Sequence, residues 1–207
     1  MVATFECGVK EDIQSLGGRR PKWNKRVLSW AVQDGNLGAL GKQQIIGAFG
    51  EALDRWSDVC NLKFEYIDSN DSDIVAFLGH PDNRPGGVLA DQEMPNGTDR
   101  QLKMRIDKAE EWGVFNNSIQ GRIDLTRVVC HEIGHAIGIS HLDHGALLAP
   151  QYGKVTKPQD QDIYEAQLRY DKPTSKPTPD PDPEPGDIVS QFRVILRENG
   201  SMEWKPA

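Results

Sequence analysis

Short apolar runs and a longer amphipathic stripe alternate along residues 21–171. Four runs rich in β-branched and aromatic residues are predicted as strands, the last more faintly: 26–33, 62–67, 73–78 and 87–93. Between the first two of these runs, apolar residues recur at helical spacing from Ile45 to Trp56, which predicts an amphipathic helix over 42–59. Two further helices are predicted near 123–137 and 160–170. Strand, helix, strands and then helices indicate an α/β or α+β layered domain.

The composition changes after Tyr170. Residues 172–186 contain six of the thirteen prolines, interspersed with Asp and Glu, which predicts an extended linker. Alternating apolar positions and a turn-forming run at 198–201 then predict a β-hairpin within residues 187–207. A lone hairpin is marginally stable, so we expect it to dock on the main domain or a partner, or to begin a further module.

Charge and cysteine content exclude several classes of protein. The chain has 24 Lys and Arg against 31 Asp and Glu, a net charge of -7, which argues against nucleic-acid binding. No apolar run approaches the roughly 18 residues of a membrane span. Three cysteines (Cys7, Cys60 and Cys130) are too few for a disulfide-rich fold, and the last two are expected to be buried. The N-terminus lacks a secretory signal, so the protein is either intracellular or has a leader outside this sequence.

A zinc-binding pattern lies in the apolar run 128–139. His131 and His135 are four residues apart and share a helix face, so both imidazoles can reach one ion, with Glu132 beside them. Gly138 can adopt a positive φ and turn the chain so that His141 completes the site. Three imidazoles with an open fourth position are typical of catalytic zinc. The expected chemistry is metal-assisted hydrolysis, in which zinc lowers the pKa of a water and Glu132 takes its proton.

The sequence HEIGHAIGISH at 131–141 resembles the zinc motif of metzincin peptidases. Further segments resemble, in order, the matrix metalloproteinase (matrixin) catalytic domain over about residues 5–171: 20–23, 56–59, 62–64, 72–74, 86–90 and 107–112. This resemblance implies a twisted, mostly parallel sheet with three helices, the zinc motif on the active-site helix, and a catalytic domain at 21–171. It also implies a monomeric, secreted or extracellular endopeptidase that acts on proteins, such as those of the extracellular matrix, or on peptides. The linker lies where that family has a hinge.

The resemblance also implies a substrate cleft. An extended substrate would pair with the backbone of 87–91, including Leu89 and Ala90. Pro150 and Tyr152 would form the wall of the pocket for the residue after the scissile bond, and the family prefers a medium-sized apolar residue there.

Several positions depart from the family pattern. Leu148 stands where metzincins have the methionine of the Met-turn, and its volume is close enough to pack there. Asp91 and Arg105 stand where two histidines of the family's structural zinc site would be, so one zinc per chain is predicted. Asp107 and Glu110 match calcium ligands, with Asn83 near the position of a third carboxylate. The alternative is that these two carboxylates are solvated surface groups.

Residues 1–20 resemble the end of a propeptide. The sequence FECGV at 5–9 is similar to the family's cysteine switch, in which a thiolate from Cys7 would occupy the fourth zinc position and hold the enzyme latent. Glu6 and Lys10 replace the usual arginine and proline. Cys7 is therefore either a latency ligand or a vestigial, exposed thiol.

Two other functions are compatible with the sequence. One is a catalytically weak metzincin-like binding module in which the tail or Cys7 fills the cleft; Glu132 argues against it. The other is a structural module with the Pro-rich tail as its ligand, and the complete histidine triad argues against that.

Overall fold

A computed structural model describes residues 6–8, 21–82, 84–114 and 122–174, together with the backbone of two strands near the C-terminus. The helices within these residues are α1 (Lys42–Ser57), α2 (Leu125–Ala136) and α3 (Asp160–Tyr170). The strands are β1 (Glu6–Cys7), β2 (Val27–Val32), β3 (Lys63–Tyr66), β4 (Ile74–Gly79), β5 (Val88–Gln92), β6 (Leu102–Asp107), β7 (Trp112–Gly113), β8 (Ile123–Asp124), β9 (Phe192–Leu196) and β10 (Met202–Pro206).

The main sheet is mixed and mostly parallel, as predicted. Its order is β1-β5-β6-β4-β2-β3, and of the strand pairs described in this sheet only β5 and β6 are antiparallel. Helices α1, α2 and α3 complete the predicted α/β architecture. The three helices and the four expected strands lie within about two residues of their predicted bounds.

Strand β6 is absent from the sequence prediction. Its buried residues Leu102, Met104 and Ile106 alternate with exposed Lys103 and Arg105, a period of two that could have indicated it. The strand has a single β-branched residue, Ile106, so strand propensity was low and the alternation was the only available signal.

Helix α1 buries the predicted apolar stripe, which includes Ile45, Phe49 and Trp56. The Trp56 indole Nε1 donates a hydrogen bond to the Cys130 carbonyl at 2.8 Å, tying α1 to α2. The helix that carries the zinc motif is therefore fixed against the core by a side chain 74 residues away along the chain.

The chain forms two compact units, Met1–Pro173 and Thr174–Ala207. In the second unit, β9 and β10 pair antiparallel, with Met202 opposite Leu196. The predicted turn at 198–201 and most of the predicted linker at 172–186 lie outside the described residues, as does most of the segment 1–20. None of the described helices is both long enough and apolar enough to cross a bilayer.

Candidate active site

Helix α2 positions the first two histidines and the chain then turns sharply. The helix begins at the cap residue Asp124, whose side chain accepts a hydrogen bond from the Thr126 amide at 3.1 Å. Gly138 has a φ of 93°, which confirms the predicted positive φ. A Cβ there would lie 2.0 Å from the Pro21 carbonyl oxygen, so space also requires glycine. This turn brings His141 back to the helix.

The three imidazoles converge on one point. Nε2 of His131 lies 3.1 Å from Nε2 of His135, close to the separation of about 3.3 Å expected for two ligands of tetrahedral zinc. Nδ1 of His131 lies 2.8 Å from the Leu147 carbonyl oxygen, and Nδ1 of His135 lies 2.7 Å from that of Ile139. These carbonyls favour the tautomer with a proton on Nδ1, which leaves Nε2 of both rings as a metal ligand.

Burial also keeps these rings in the form that binds a metal. It lowers the pKa of His131 to about 4 and that of His135 well below its ordinary value. Neighbouring imidazoles lower both values further. Neutral imidazole is the form of histidine that binds zinc, so the cluster fits a zinc ion.

Cys7 joins this cluster. Its Sγ and one ring nitrogen from each of the three histidines all lie within 4.8 Å of one another. Strand β1 pairs parallel with β5, the Cys7 amide donates to the Pro150 carbonyl at 3.2 Å, and the Gly8 amide donates to the Ala90 carbonyl at 2.9 Å. A Cβ on Gly8 would lie 2.6 Å from Val88 Cγ1, so the segment fits tightly against β5.

Glu132 lies beside the histidines and lines a pocket that opens to solvent. Its Oε2 is buried and has no hydrogen-bond partner among the described residues. Burial raises the pKa of Glu132 to about 8, and a hydrogen bond with the Cys7 thiol acts in the opposite direction. Of the residues expected to bind substrate, Leu89, Pro150 and Tyr152 line the same pocket.

The floor beneath the histidines is built around Leu148, which is fully buried. A Cβ on Gly134 would lie 2.6 Å from Leu148 Cδ2, so the turn packs directly against the zinc helix. The amides of Leu147 and Leu148 donate to the two carboxylate oxygens of Asp162, at 2.8 and 3.0 Å. Asp162 thus fixes the turn whose Leu147 carbonyl orients His131.

Sequence reasoning missed two residues of this site, Asp162 and Arg127. Asp162 lies in the first turn of α3, where an acidic residue is ordinary, and nothing in the sequence indicates its distant partners. Arg127 lines the pocket, and its position four residues before His131 was a usable signal, because such residues share a helix face.

The place expected for a second zinc holds an ion pair instead. Asp91 and Arg105 are opposite each other on β5 and β6, and their side chains form two hydrogen bonds. The cluster at Cys7 and the three histidines is the one group of three or more His, Cys, Asp or Glu side chains among the described residues whose ligand atoms lie close enough to hold a metal ion.

The two carboxylates expected to bind calcium are buried, against the alternative of solvated surface groups. Asp107 is fully buried and Glu110 is 9% exposed. Asp107 Oδ1 accepts from the Ala109 amide at 2.8 Å and lies 3.2 Å from His80 Nδ1, while its buried Oδ2 has no hydrogen-bond partner in the described chain. Glu110 accepts from the Gly86 amide. Asn83 lies outside the described residues.

Cys60 and Cys130 are buried, and neither forms a disulfide. Burial raises the pKa of both thiols to about 12, so they stay protonated and unreactive at neutral pH. They pack as small apolar residues, as predicted.

The sequence model of the matrixin family matches residues 22–171. The chain belongs to the matrixin family. Matrixins are zinc metallopeptidases, and the histidine cluster described above fits the zinc site of this family. The match ends one residue after α3.

Several matrix metalloproteinases are similar to this matrixin. Human matrix metalloproteinase-17 is 33% identical over 159 residues, which is 72% of this chain and 26% of the relative. Rat macrophage metalloelastase is 30% identical over 200 residues, which is 90% of this chain and 42% of the relative. Mouse stromelysin-3 is 33% identical over 165 residues, covering 72% of this chain and 32% of the relative. The matched part of the chain thus spans less than half the length of each.

Proposed function

We propose that the chain is a zinc-dependent endopeptidase that hydrolyses peptide bonds in extended protein substrates. The observation that carries this proposal is the position of Glu132. Its buried Oε2 has no hydrogen-bond partner among the described residues, and Glu132 and His131 line the same pocket. A carboxyl group beside three neutral imidazoles is suited to act as a base next to a metal.

Each residue of the cluster has a distinct proposed role. His131, His135 and His141 hold the zinc. When bound, zinc supplies a Lewis acid that polarises the scissile carbonyl and acidifies a water molecule. Glu132 accepts the proton of that water as it attacks and passes it to the leaving nitrogen. The positive charge of the ion favours the ionised carboxylate and so counters the effect of burial on Glu132.

The edge of β5 is the proposed binding surface for substrate. In the described structure the backbone of Ala90 already accepts a hydrogen bond from Gly8, so this edge accommodates an added strand. Leu89, which also lies on β5, would contact the substrate. Pro150 and Tyr152 would form the wall of the pocket for the residue after the scissile bond.

Cys7 is the proposed latency ligand. The β1 segment occupies the same edge that a substrate needs, and the Cys7 thiol lies within the histidine cluster. A thiolate on the zinc would fill the open ligand position and exclude substrate. The same contact supports the alternative function of an inhibited, catalytically weak binding module, and retention of Glu132 favours the peptidase.

Asp107 and Glu110 are the proposed calcium ligands. Both are buried, and none of the ion pairs reported for the described residues joins either of them to Lys or Arg. Carboxylate oxygens are preferred ligands of calcium, and a bound ion would remove the repulsion between them.

A secreted or extracellular location and a monomeric state are proposed from family membership. Matrixins are mostly secreted or extracellular proteases, and some are membrane-type. The domain organisation proposed is a propeptide-like segment at 1–20, a catalytic domain at 21–171, a linker at 172–186 and a hairpin-containing tail at 187–207.

The proposed activity is tested by incubating zinc-loaded protein with an unstructured protein substrate, with and without a metal chelator. A parallel arm uses a thiol reagent to release any Cys7 block; Cys60 and Cys130 are buried and should react slowly. New peptides that appear without chelator and vanish with it support the proposal. Intact substrate in all arms, with zinc bound, rejects it in favour of the binding module.

A further inference from the structure

Strand β5 provides the proposed binding surface for substrate, and its neighbour β6 joins it to the rest of the main sheet. The two strands pair antiparallel over three residue pairs, with Asp91 and Arg105 in the middle. On its other side β5 pairs with β1, two residues of the segment that a substrate would displace. The position of the substrate-binding edge therefore depends on the contacts between β5 and β6.

The strongest side-chain contact between these strands joins Arg105 to Asp91 at two points. Arg105 Nε donates to Asp91 Oδ1 at 2.8 Å, and Nη2 donates to Oδ2. Two hydrogen bonds from one guanidinium to one carboxylate fix orientation as well as distance. The Asp91 side chain is only 17% exposed, although that of Arg105 is 56% exposed. Most surface ion pairs contribute little to stability, but paired hydrogen bonds of this kind are the exception.

Asp91 also borders the chain segment that lies along the open side of β5. A Cβ on Gly8 would lie 3.0 Å from Asp91 Cβ. The Gly8 amide donates to the carbonyl of Ala90, the residue directly before Asp91. A shift of Asp91 away from β6 would therefore move the backbone acceptor that an added strand uses.

A second ion pair near the end of β5 differs in each of these respects. Arg100 Nη1 donates to Glu93 Oε2 at 3.0 Å through a single nitrogen. Both side chains are more than 40% exposed, and Glu93 lies one residue beyond the end of β5. This pair has the features of an ordinary surface ion pair, so it provides a matched control for the first.

Resting on the proposed binding of substrate along β5, we propose that Asp91 and Arg105 are positioning residues whose ion pair fixes the β5 edge for substrate. The family resemblance places histidines of a structural zinc site at these two positions. A metal shared by two such residues would link β5 to β6, and here the side chains of the chain itself form that link. The alternative is that the pair contributes only to overall stability.

The kinetic test compares Arg105→Gln with the parent chain on one peptide substrate. Both are full-length and zinc-loaded, and both contain Cys7→Ser so that the N-terminal thiol does not compete. We expect KM to rise about three- to fivefold with kcat nearly unchanged, because the edge binds substrate but takes no part in the chemical step. Arg105→Lys keeps the charge without the paired geometry and should retain part of the effect. An unchanged KM in Arg105→Gln overturns the inference.

A double-mutant cycle shows whether the two residues act as a pair. Asp91→Asn should also raise KM, and the double variant with Arg105→Gln should be no worse than the poorer single variant, because either change removes the same contact. Multiplied effects in the double variant would show that the residues act independently and would overturn the inference. Arg100→Gln should leave KM unchanged, and an equal rise there would show a general effect of surface charge instead.

Hydrogen exchange measures the β5 edge without requiring catalysis. In Arg105→Gln, the amides of residues 88–92 should exchange about threefold faster than in the parent chain, while those of α1 should be unchanged. Faster exchange in both segments would indicate overall destabilisation and contradict the proposed local role. Faster exchange at 88–92 with an unchanged KM also overturns the inference, because the edge would then move without consequence for substrate.

These measurements distinguish failure of this inference from failure of the proposed function. Cleavage of the peptide by both chains with equal KM rejects the positioning role and keeps the peptidase. No cleavage of any peptide or protein by the zinc-loaded chain rejects the peptidase and, with it, the positioning of substrate.

Discussion

The histidine cluster and the carboxylate pair Asp107 and Glu110 are both buried, but they are prepared for a metal to different degrees. In the first, neutral rings lie with their ligand atoms within 4.8 Å of one another, and backbone carbonyls orient two of them. In the second, burial and the charges of Asp107 and Asp82 raise the pKa of Glu110, so the charged form is unfavourable. Neutral ligands can be assembled in advance, whereas clustered anions cost stability until a cation arrives.

This difference implies that zinc enters a nearly complete site, while calcium changes the stability of the protein that receives it. Four changes test the contrast, beginning with the largest expected effect.

Replacing Glu132 should separate catalysis from metal binding. Glu132→Ala and the closer isostere Glu132→Gln should lower kcat/KM by about 10²- to 10⁴-fold, because the general base is lost. Both variants should still bind one zinc per chain, as measured by metal analysis of purified protein. Turnover within tenfold of wild type would contradict the proposed role, and two zincs per chain would show that the second site persists despite Asp91 and Arg105.

Truncating Leu148 should weaken the support beneath the histidines. Leu148→Ala should cost about 2 to 5 kcal/mol of unfolding free energy, because it leaves a cavity under Gly134. Leu148→Met, the matched control, should cost less than about 1.5 kcal/mol. Denaturant melts measure both. Zinc affinity should fall in the alanine variant as well, since the Leu147 carbonyl orients His131; unchanged affinity would argue that this turn does not position the ring.

Removing the Cys7 thiol should raise activity severalfold if the thiolate occupies the fourth zinc position. Cys7→Ser and a chain trimmed before Pro21 should cleave a peptide substrate at similar, elevated rates. A thiol reagent should activate wild type and leave Cys7→Ser unchanged. Equal rates for the intact, substituted and trimmed forms would mean that the sulfur within the histidine cluster has no role in latency.

Calcium should give the smallest effect, and its size should depend on pH. The pKa of Glu110 is higher in the folded state than in the unfolded state. The free energy of unfolding therefore falls as the pH rises from the unfolded-state pKa through the folded-state pKa. A bound cation removes this penalty. A calcium concentration about tenfold above Kd should add about 1.4 kcal/mol, seen as a few degrees in a melting curve.

The calcium shift should therefore be larger at neutral pH than near the ordinary carboxyl range. Glu110→Gln provides the control, because it removes the charge and should lose both the pH dependence and most of the calcium shift. Identical shifts in wild type and Glu110→Gln would remove Glu110 from the proposed site.

Much of the fold could be predicted because its elements have clear periods. The amphipathic stripe of α1 and the apolar runs of β2 and β4 follow helical and strand spacing, and each was found within about two residues. Strand β6 was missed because Lys103 and Arg105 lower its strand propensity, although its alternation was present. The Asp91 and Arg105 pair was predicted only as a lost metal site; the ion pair depends on the antiparallel register of β5 and β6.

The sequence by itself determined what local geometry controls. Helical spacing puts His131 and His135 on one face, and a glycine at 138 permits the turn to His141, so the three members of the cluster could be predicted without coordinates. Only the tertiary structure decided which distant groups surround them: the Cys7 thiol, the Asp162 carboxylate that fixes the Leu148 turn, and the Tyr152 ring against which the Arg127 guanidinium lies. These contacts depend on chain segments brought together by packing, and no short-range pattern encodes them.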